Sequence, residues 1–188
     1  MKNSSALLLV ILVFLFACRP SHQSNVSVPV NSPGLTPIAS PSASADRPWR
    51  DPNVACQYLS SFGLRTKPYQ DYDGQSWCMA SLFYAEDTPV PNEISYTASG
   101  EVSHVQQLEL SAETYNSVPA EDRRTIEKAS EMTQSLLRVA VGEEFPKQPV
   151  EAFRKGTAGT WAHKNATIEV LRDEHSPGRG FTITLRIK

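Results

Sequence analysis

The three cysteines are the residues whose positions best define their chemistry. Cys18 ends an apolar amino-terminal segment, and Cys56 and Cys78 lie well beyond it. In a chain that leaves the cytoplasm, two remaining cysteines most simply form a disulfide, because oxidising compartments preserve such bonds. We therefore predict a Cys56–Cys78 bond that contributes about 3–3.5 kcal/mol in the chain-entropy account. Residues 65–76 are polar and rich in turn-forming types, so we expect this bond to be their main restraint.

A reactive thiol with His104 or His163 as its base is the alternative for these cysteines. No catalytic motif surrounds either cysteine, and the CxxC spacing of zinc sites is absent. The histidines do not pair at metal-ligand spacing; they are His22, His104, His163 and His175. GxSxG, HExxH and paired-carboxylate motifs are also missing. We predict no catalytic residue, no metal site and no cofactor, although an enzyme stays open because catalytic groups need only meet in space.

Two short segments are similar to ligand-binding loops. Asp71-Tyr72-Asp73-Gly74 is similar to the start of a calcium loop, but the next alternate ligand is Gln75 and no Glu follows at the required spacing. Residues 156–160 are Gly-Thr-Ala-Gly-Thr and could offer backbone amides to an anion, yet they lack the Lys-Ser/Thr pair of a phosphate loop. We therefore expect an ordinary turn in the first segment and a connector in the second.

The amino-terminal segment has the layout of a secretory signal. Lys2 precedes an uncharged apolar run over residues 6–16, and the small Ala17 stands before Cys18. As a helix, this run reaches only about 18–20 Å, which is short of the roughly 30 Å of bilayer hydrocarbon. The string Leu15-Phe16-Ala17-Cys18 resembles the lipobox of bacterial lipoproteins.

This resemblance implies that residues 1–17 are removed and that a diacylated Cys18 becomes the first residue. Two or more acyl chains anchor a protein stably, so the implied partner is a membrane. Arg19 is not the aspartate that is typical of inner-membrane retention, which implies outer-membrane delivery if the source is a diderm bacterium. An uncleaved apolar anchor and an ordinary secretory signal are the alternatives. The sequence of the mature domain resembles no family that we recognise.

Residues 18–52 read as the lipidated cysteine followed by a tether. Seven Pro and seven Ser fall within residues 19–52, without a periodic apolar pattern. Proline removes backbone donors and favours extended chain, so this composition indicates a linker. Residues 53–188 are long enough for a single domain with its own core.

The apolar patterning of residues 53–188 predicts the order αβββα(α)ββ. Asp51-Pro52 starts a helix whose apolar face runs to Phe62, with Gly63 after it. Alternation predicts strands near 77–85, 93–99, 107–115, 167–172 and 181–188. Helical spacing predicts a long helix over 120–141 and a short one over 147–155. We therefore expect an α+β fold, with an antiparallel sheet of about five strands and the long helix packed on one face.

Charge is distributed unevenly along the domain. The net charge of −2 argues against a nucleic-acid partner. Residues 69–122 hold ten acids and no Lys or Arg, whereas residues 123–188 hold twelve bases and eight acids. Acidic and basic strands lying side by side would explain this, because opposite charges across strands attract. An acidic binding face is the alternative.

Three classes of function fit this organisation. We favour a membrane-anchored protein of the cell envelope that binds an envelope protein or a glycan without catalysis. A carrier of a small apolar ligand would need an enclosed cavity above about 300 Å³, lined by Phe, Tyr and Leu. An envelope enzyme acting on cell-wall or lipid substrates would need titratable groups that converge, for example among Asp71, Asp73, His104 and His163.

Overall fold

The computed structural model describes residues 48–84, 90–115 and 118–188. The predictions for the signal at 1–17, for Cys18, for His22 and for most of the tether fall outside the described residues and stay predictions. Trp49 is 1% exposed and belongs to the core, although it precedes the expected domain at 53–188.

The described residues form three helices and one antiparallel sheet of seven strands. The helices are α1 (Pro52–Ala55), α2 (Pro119–Val141) and α3 (Gln148–Lys155), with 3₁₀ turns at Pro48–Arg50 and Ser60–Phe62. The strands are β1 (Gln70–Tyr72), β2 (Gln75–Tyr84), β3 (Asn92–Glu101), β4 (His104–Thr114), β5 (Gly159–His163), β6 (Ala166–Glu174) and β7 (Phe181–Ile187). Their order in the sheet is β1-β2-β3-β4-β7-β6-β5.

The predicted α+β single domain is confirmed, but the predicted count of about five strands is wrong. β1 lies in the segment expected to be turn-rich, and β5 lies in the expected Gly/Thr-rich connector. Asp73 and Gly74 have φ of 53° and 86° between the paired Tyr72 and Gln75. Positive φ at both central residues suits a two-residue hairpin turn, so Asp-Gly folds β1 onto β2. Lys164, with φ of 53°, lies in the matching turn between β5 and β6.

After the first four strands, the chain crosses to the far edge of the sheet and then returns to its middle. β1 to β4 run as consecutive antiparallel neighbours, and α2 and α3 then carry the chain to the far edge, where β5 begins. β7 returns beside β4, so that Leu110 pairs with Leu185. The last strand therefore lies near the centre of the sheet, between strands that are distant in sequence.

One face of the sheet forms the core together with the helices. The expected inward residues of β3 and β4 are fully buried: Ile94, Tyr96, Ala98, Leu108, Leu110 and Ala112 are each 0% exposed. α2 matches the long helix predicted at 120–141 and buries Leu136 and Leu137. In the described part of the chain, no helix has both the length and the apolar character needed to cross a bilayer.

The predicted disulfide is confirmed, whereas the first helix is shorter than predicted. Cys56 and Cys78 are bonded with their Cα atoms 6.0 Å apart, which joins the end of α1 to β2. α1 ends at Ala55 instead of continuing to Phe62. In a continuous helix the Cys56 carbonyl would accept from the residue-60 amide, but here it accepts from the Thr66 hydroxyl at 2.8 Å. The Ser60 amide donates to Gln57 instead.

The expectation that residues 65–76 are held mainly by the disulfide is wrong. β1 pairs with β2 over three residues. The Tyr69 hydroxyl also donates to the Glu101 backbone carbonyl at 3.1 Å. This segment is thus restrained by a strand ladder and by a long-range hydrogen bond as well as by the bridge.

Candidate functional site

The acidic segment predicted to be an ordinary turn is a hairpin. Asp71 lies on β1, and Asp73 lies in the turn between β1 and β2. Both residues are exposed. Among the described residues, no group of three or more His, Cys, Asp or Glu side chains could hold a metal ion.

The Gly/Thr-rich segment after α3 does not present its first amides to a ligand. The Gly156 amide donates to the Phe153 carbonyl at 3.1 Å, and the Thr157 amide donates to the Ala152 carbonyl at 2.9 Å. These two amides cap α3, so they are not free to surround an anion. The remainder of the segment begins β5.

The histidines of the described residues lie at three separate places. His104 lies at the β3–β4 turn, 3.7 Å from a Glu101 carboxylate oxygen. His163 ends β5, and its buried Nε2 has no hydrogen-bond partner among the described residues. The structure therefore gives no contact that brings His104 and His163 together with Asp71 or Asp73.

His175 takes part in a small polar cluster beside β4 and β7. Its Nε2 lies 3.3 Å from a Glu113 carboxylate oxygen and 3.0 Å from the Thr182 hydroxyl. The Tyr115 ring lies 5.4 Å from the imidazole. Burial raises the pKa of Tyr115, and the hydrogen bond to Glu113 raises it further. This cluster links two strands at one end of the sheet.

The sheet face opposite the core is the main candidate for a binding surface, and we call it the uncovered face. Side chains alternate along each strand, so the neighbours of buried residues point to this face. On β2, β3, β4 and β7, the side chains that point to the uncovered face are exposed or half-buried, except for the buried Thr184. They are Gln75, Trp77, Met79, Ser81 and Phe83 on β2; Glu93, Ser95, Thr97 and Ser99 on β3; Gln107, Glu109, Ser111 and Glu113 on β4; and Thr182, Thr184 and Arg186 on β7, followed by Lys188.

A groove of about 500 Å³ crosses one end of the uncovered face. Its lining residues are Gly74, Gln75, Trp77, Ser99, Gly100, Glu101, Gln106, Gln107 and Lys188. Trp77 pairs with Ser99 across β2 and β3, and Ser99 pairs with Gln107 across β3 and β4. Ser99 is small and stands between larger neighbours, which produces the depression. The volume lies within the range of about 300–1,000 Å³ that is typical of ligand pockets.

A β-bulge in β4 brings two successive glutamines into this groove. Ser99 pairs with Gln107 and Gly100 pairs with Val105, so Gln106 is an extra residue on β4. Bulges commonly re-aim side chains, and here both Gln106 and Gln107 line the groove. A Cβ atom on Gly100 would lie 2.5 Å from the His104 carbonyl oxygen and 2.6 Å from the Gln106 amide nitrogen. Only glycine therefore fits opposite the bulge.

The aromatic wall of the groove is held by a second ring. The Tyr72 and Trp77 rings stack with their centroids 4.7 Å apart. The Tyr72 hydroxyl donates to the Gln70 side-chain oxygen at 2.7 Å. This stacking limits the rotation of the indole and keeps it at the groove.

The two charged residues at the groove each contact another side chain of the protein. The Gln106 side-chain amide donates to a Glu101 carboxylate oxygen at 2.9 Å. The Lys188 ammonium lies 2.9 Å from a Glu169 carboxylate oxygen. Glu101 and Lys188 are one acid and one base, so the lining carries no net charge.

Two further pockets lie outside the uncovered face. A cleft of about 280 Å³ has Ile126 and Phe181 among its lining residues, together with charged residues of α2 and α3. A pocket of about 200 Å³ is lined by Trp49, His163 and residues of the β5–β6 turn. Neither has the size and the Phe, Tyr and Leu lining that a carrier of an apolar ligand was expected to show.

Alternation along the sequence predicts the strand β2 but does not reveal the groove. A signal was present, because Cys78 must face α1 to form its disulfide. Period-two alternation then directs Trp77 and Met79 to the opposite face. Alternation likewise predicts β3 and β4, but the bulge at Gln106 carried no comparable local signal.

Comparisons with known proteins do not assign the chain to a family. No protein-family model, curated protein or solved structure matches it.

Proposed function

We propose that this protein is a lipid-anchored lipoprotein of the cell envelope whose domain binds a ligand on the uncovered face without catalysis. The anchor is supported by the resemblance of Leu15-Phe16-Ala17-Cys18 to a lipobox. The binding role is supported by the groove beside Trp77. The tether then allows the domain to reach a ligand at a distance from the lipid surface.

The groove is the observation that carries the binding role. Its lining combines an aromatic ring, a hydroxyl and three side-chain amides, which can hold a ligand by contact and hydrogen bonds. Its acid and its base are each engaged with another side chain. A catalytic site would need a nucleophile and a proton-transfer group aimed at a common point, and no contact in the described residues joins the Ser99 hydroxyl to Glu101, Lys188 or His104.

The core argues for surface binding instead of transport of an apolar ligand in the interior. The space between α2 and the sheet is filled by side chains that are 0% exposed, including Leu136, Leu137 and Ile183. Close-packed interiors leave few voids larger than a water molecule. A ligand therefore finds more space in the groove of the uncovered face, about 500 Å³, than in the pockets of about 280 and 200 Å³ described above.

Binding of the protein to isolated envelopes of its source organism tests this proposal. The full chain would carry Cys18→Ser, so that the lipid anchor does not contribute to binding. Ser99→Arg fills the floor of the groove, and we expect it to lower envelope binding by about tenfold or more. Gln134→Arg adds the same side chain at an exposed position of α2, and we expect binding within about twofold of the parent.

Two outcomes of this experiment would contradict the proposed function. The first is equal binding by the parent and by the Ser99→Arg protein. The second is an equal loss of binding in both variants, because this would show an effect of added positive charge. Melting temperatures of both variants would be measured to confirm that they are folded.

A further inference from the structure

We infer that the groove binds a neutral saccharide chain, and this inference rests on the proposed function. Three features of the groove support it: the aromatic wall, the hydrogen-bonding groups and the charge balance. Each of them matches a property of a sugar ring.

The aromatic wall matches the apolar face of a pyranose. A sugar ring presents C–H groups on its flat face, and these pack against an aromatic ring. Trp77 lines the groove. The Tyr72 ring stacks on the Trp77 ring, and the two ring centroids are 4.7 Å apart. A positioned indole provides contact area at little cost in side-chain entropy, because its rotation is already restricted.

The polar lining matches groups that both donate and accept hydrogen bonds. A carboxamide side chain has two N–H donors and one carbonyl acceptor, and a serine hydroxyl does both as well. Gln75, Gln106, Gln107 and Ser99 provide four such side chains around one depression. Gln106 and Gln107 each already donate one N–H, to Glu101 at 2.9 Å and to Glu109 at 3.2 Å, and each has a second N–H and a carbonyl oxygen. Sugar hydroxyls have the same double capacity, so each can be matched without a change of protonation.

The charge balance favours a neutral ligand. Glu101 and Lys188 cancel in formal charge, and each has a partner within the protein at 2.9 Å. An anionic ligand would compete with Glu169 for Lys188, and a cationic ligand would compete with the Gln106 amide for Glu101. A neutral saccharide enters neither competition.

The position of the groove argues against an extended peptide that adds to the sheet. Its floor lies on β3, which is paired with β2 on one side and with β4 on the other. The backbone groups of β3 are therefore used in the two ladders, whereas strand addition needs a free sheet edge. Recognition at this place must come from side chains.

Isothermal titration of the purified full chain with the β-1,4-linked tetramer of N-acetylglucosamine tests this inference. The protein would be kept in a detergent without a sugar headgroup, since a glycoside detergent could occupy the groove. We expect saturable binding by the parent chain. We expect Trp77→Ala to weaken this binding by about tenfold or more, because it removes the aromatic wall. Phe83→Ala removes an exposed ring from the same strand and face but outside the groove, and we expect binding within about twofold of the parent.

A second pair of variants keeps the test decisive if Trp77→Ala does not fold. Trp77→Phe retains a ring and should retain part of the affinity. Ser99→Gln fills the floor without removing a buried group or adding charge, and it should weaken the titration by about tenfold while leaving the melting temperature unchanged.

The outcomes separate this inference from the proposed function. Absence of binding to the tetramer, with envelope binding that still depends on Ser99, overturns the saccharide inference and leaves the proposed function in place. Tetramer binding that is equal in the parent and in the Ser99→Gln protein also overturns the inference. Absence of both tetramer binding and Ser99-dependent envelope binding overturns both.

Discussion

Two tyrosine side chains near α1, those of Tyr58 and Tyr96, differ in whether the hydroxyl makes a hydrogen bond. Tyr96 is 0% exposed, and its hydroxyl donates to the Ala55 carbonyl at 2.7 Å, which connects β3 to α1. The buried Tyr58 hydroxyl has no hydrogen-bond partner among the described residues. A buried polar group without a partner is unfavourable, whereas a satisfied one contributes modestly to stability.

Phenylalanine substitutions should therefore have different effects at these two positions. Tyr96→Phe should lower the free energy of unfolding by about 1 kcal/mol, because the Ala55 carbonyl loses one of its two donors. Tyr58→Phe should leave the free energy of unfolding unchanged or raise it slightly at neutral pH. Urea unfolding followed by circular dichroism measures both changes, and equal destabilisation by the two variants would contradict this account.

The pKa values of Tyr58 and Tyr96 predict how the stability of the fold changes at alkaline pH. Burial raises the pKa of Tyr58 to about 12, and the nearby Asp51 adds to the rise. Burial also raises the pKa of Tyr96. In the unfolded chain tyrosine ionises near pH 10, so above that pH the unfolded state loses protons that the folded state retains. Stability should fall as pH rises from about 10 to 12, and this fall should be shallower in the Tyr58→Phe protein.

At the scale of the elements, charged side chains connect the two halves of the sheet. Arg186 on β7 donates from Nε and Nη2 to one Glu109 carboxylate oxygen on β4, at 3.1 and 3.0 Å. Glu169 on β6 lies 3.8 Å from Arg186 and 2.9 Å from Lys188. This network confirms the prediction that acidic and basic strands lie side by side. Glu93 and Glu113 face one another on β3 and β4, and Glu113 is also in contact with His175.

The disulfide is a covalent link between two elements, the end of α1 and β2. Replacing both Cys56 and Cys78 by alanine should lower the free energy of unfolding by about 3 kcal/mol, since the bond closes a loop with a sequence separation of 22. For a domain of this size, that is a fall in melting temperature of roughly 10 °C. Calorimetry of the double variant checks this value, with the reduced parent as a control that should melt close to it. Equal melting of the oxidised parent and the variant would show that the bond does not stabilise the fold.

At the scale of the whole molecule, the three described helices pack on one face of the sheet, and none of them covers the opposite face, on which we propose that the ligand binds. Thr184 is the outward side chain buried on that face, where its hydroxyl lies 2.9 Å from the Ser111 hydroxyl. In the proposed function, the lipobox and the tether hold this surface near the membrane.

Removal of the anchor should therefore change where the whole chain is found. Cys18→Ser should move the protein from the membrane fraction to the soluble fraction and abolish incorporation of labelled fatty acid, because the sulfur that we propose receives the acyl groups is gone. Pro20→Ser, which leaves the cysteine in place, should remain with the membranes. If the Cys18→Ser protein still partitions with membranes, the apolar segment itself is the anchor.

Local patterning by itself determined the α+β class, the inward residues of β3 and β4, the span of α2 and the Cys56–Cys78 pair. These features follow from periodicity or from the scarcity of cysteine, which one stretch of chain is enough to reveal. The two added strands had a weaker local signal, because β1 is only three residues long and depends on the Asp73-Gly74 turn. The place of β7 beside β4, the bulge at Gln106 and the groove were decided only by the tertiary structure. Trp77, Ser99 and Gln107 lie on three consecutive strands, whereas Lys188 joins them only because β7, which is distant in sequence, becomes the neighbour of β4. That strand order depends on packing between elements that no local pattern encodes.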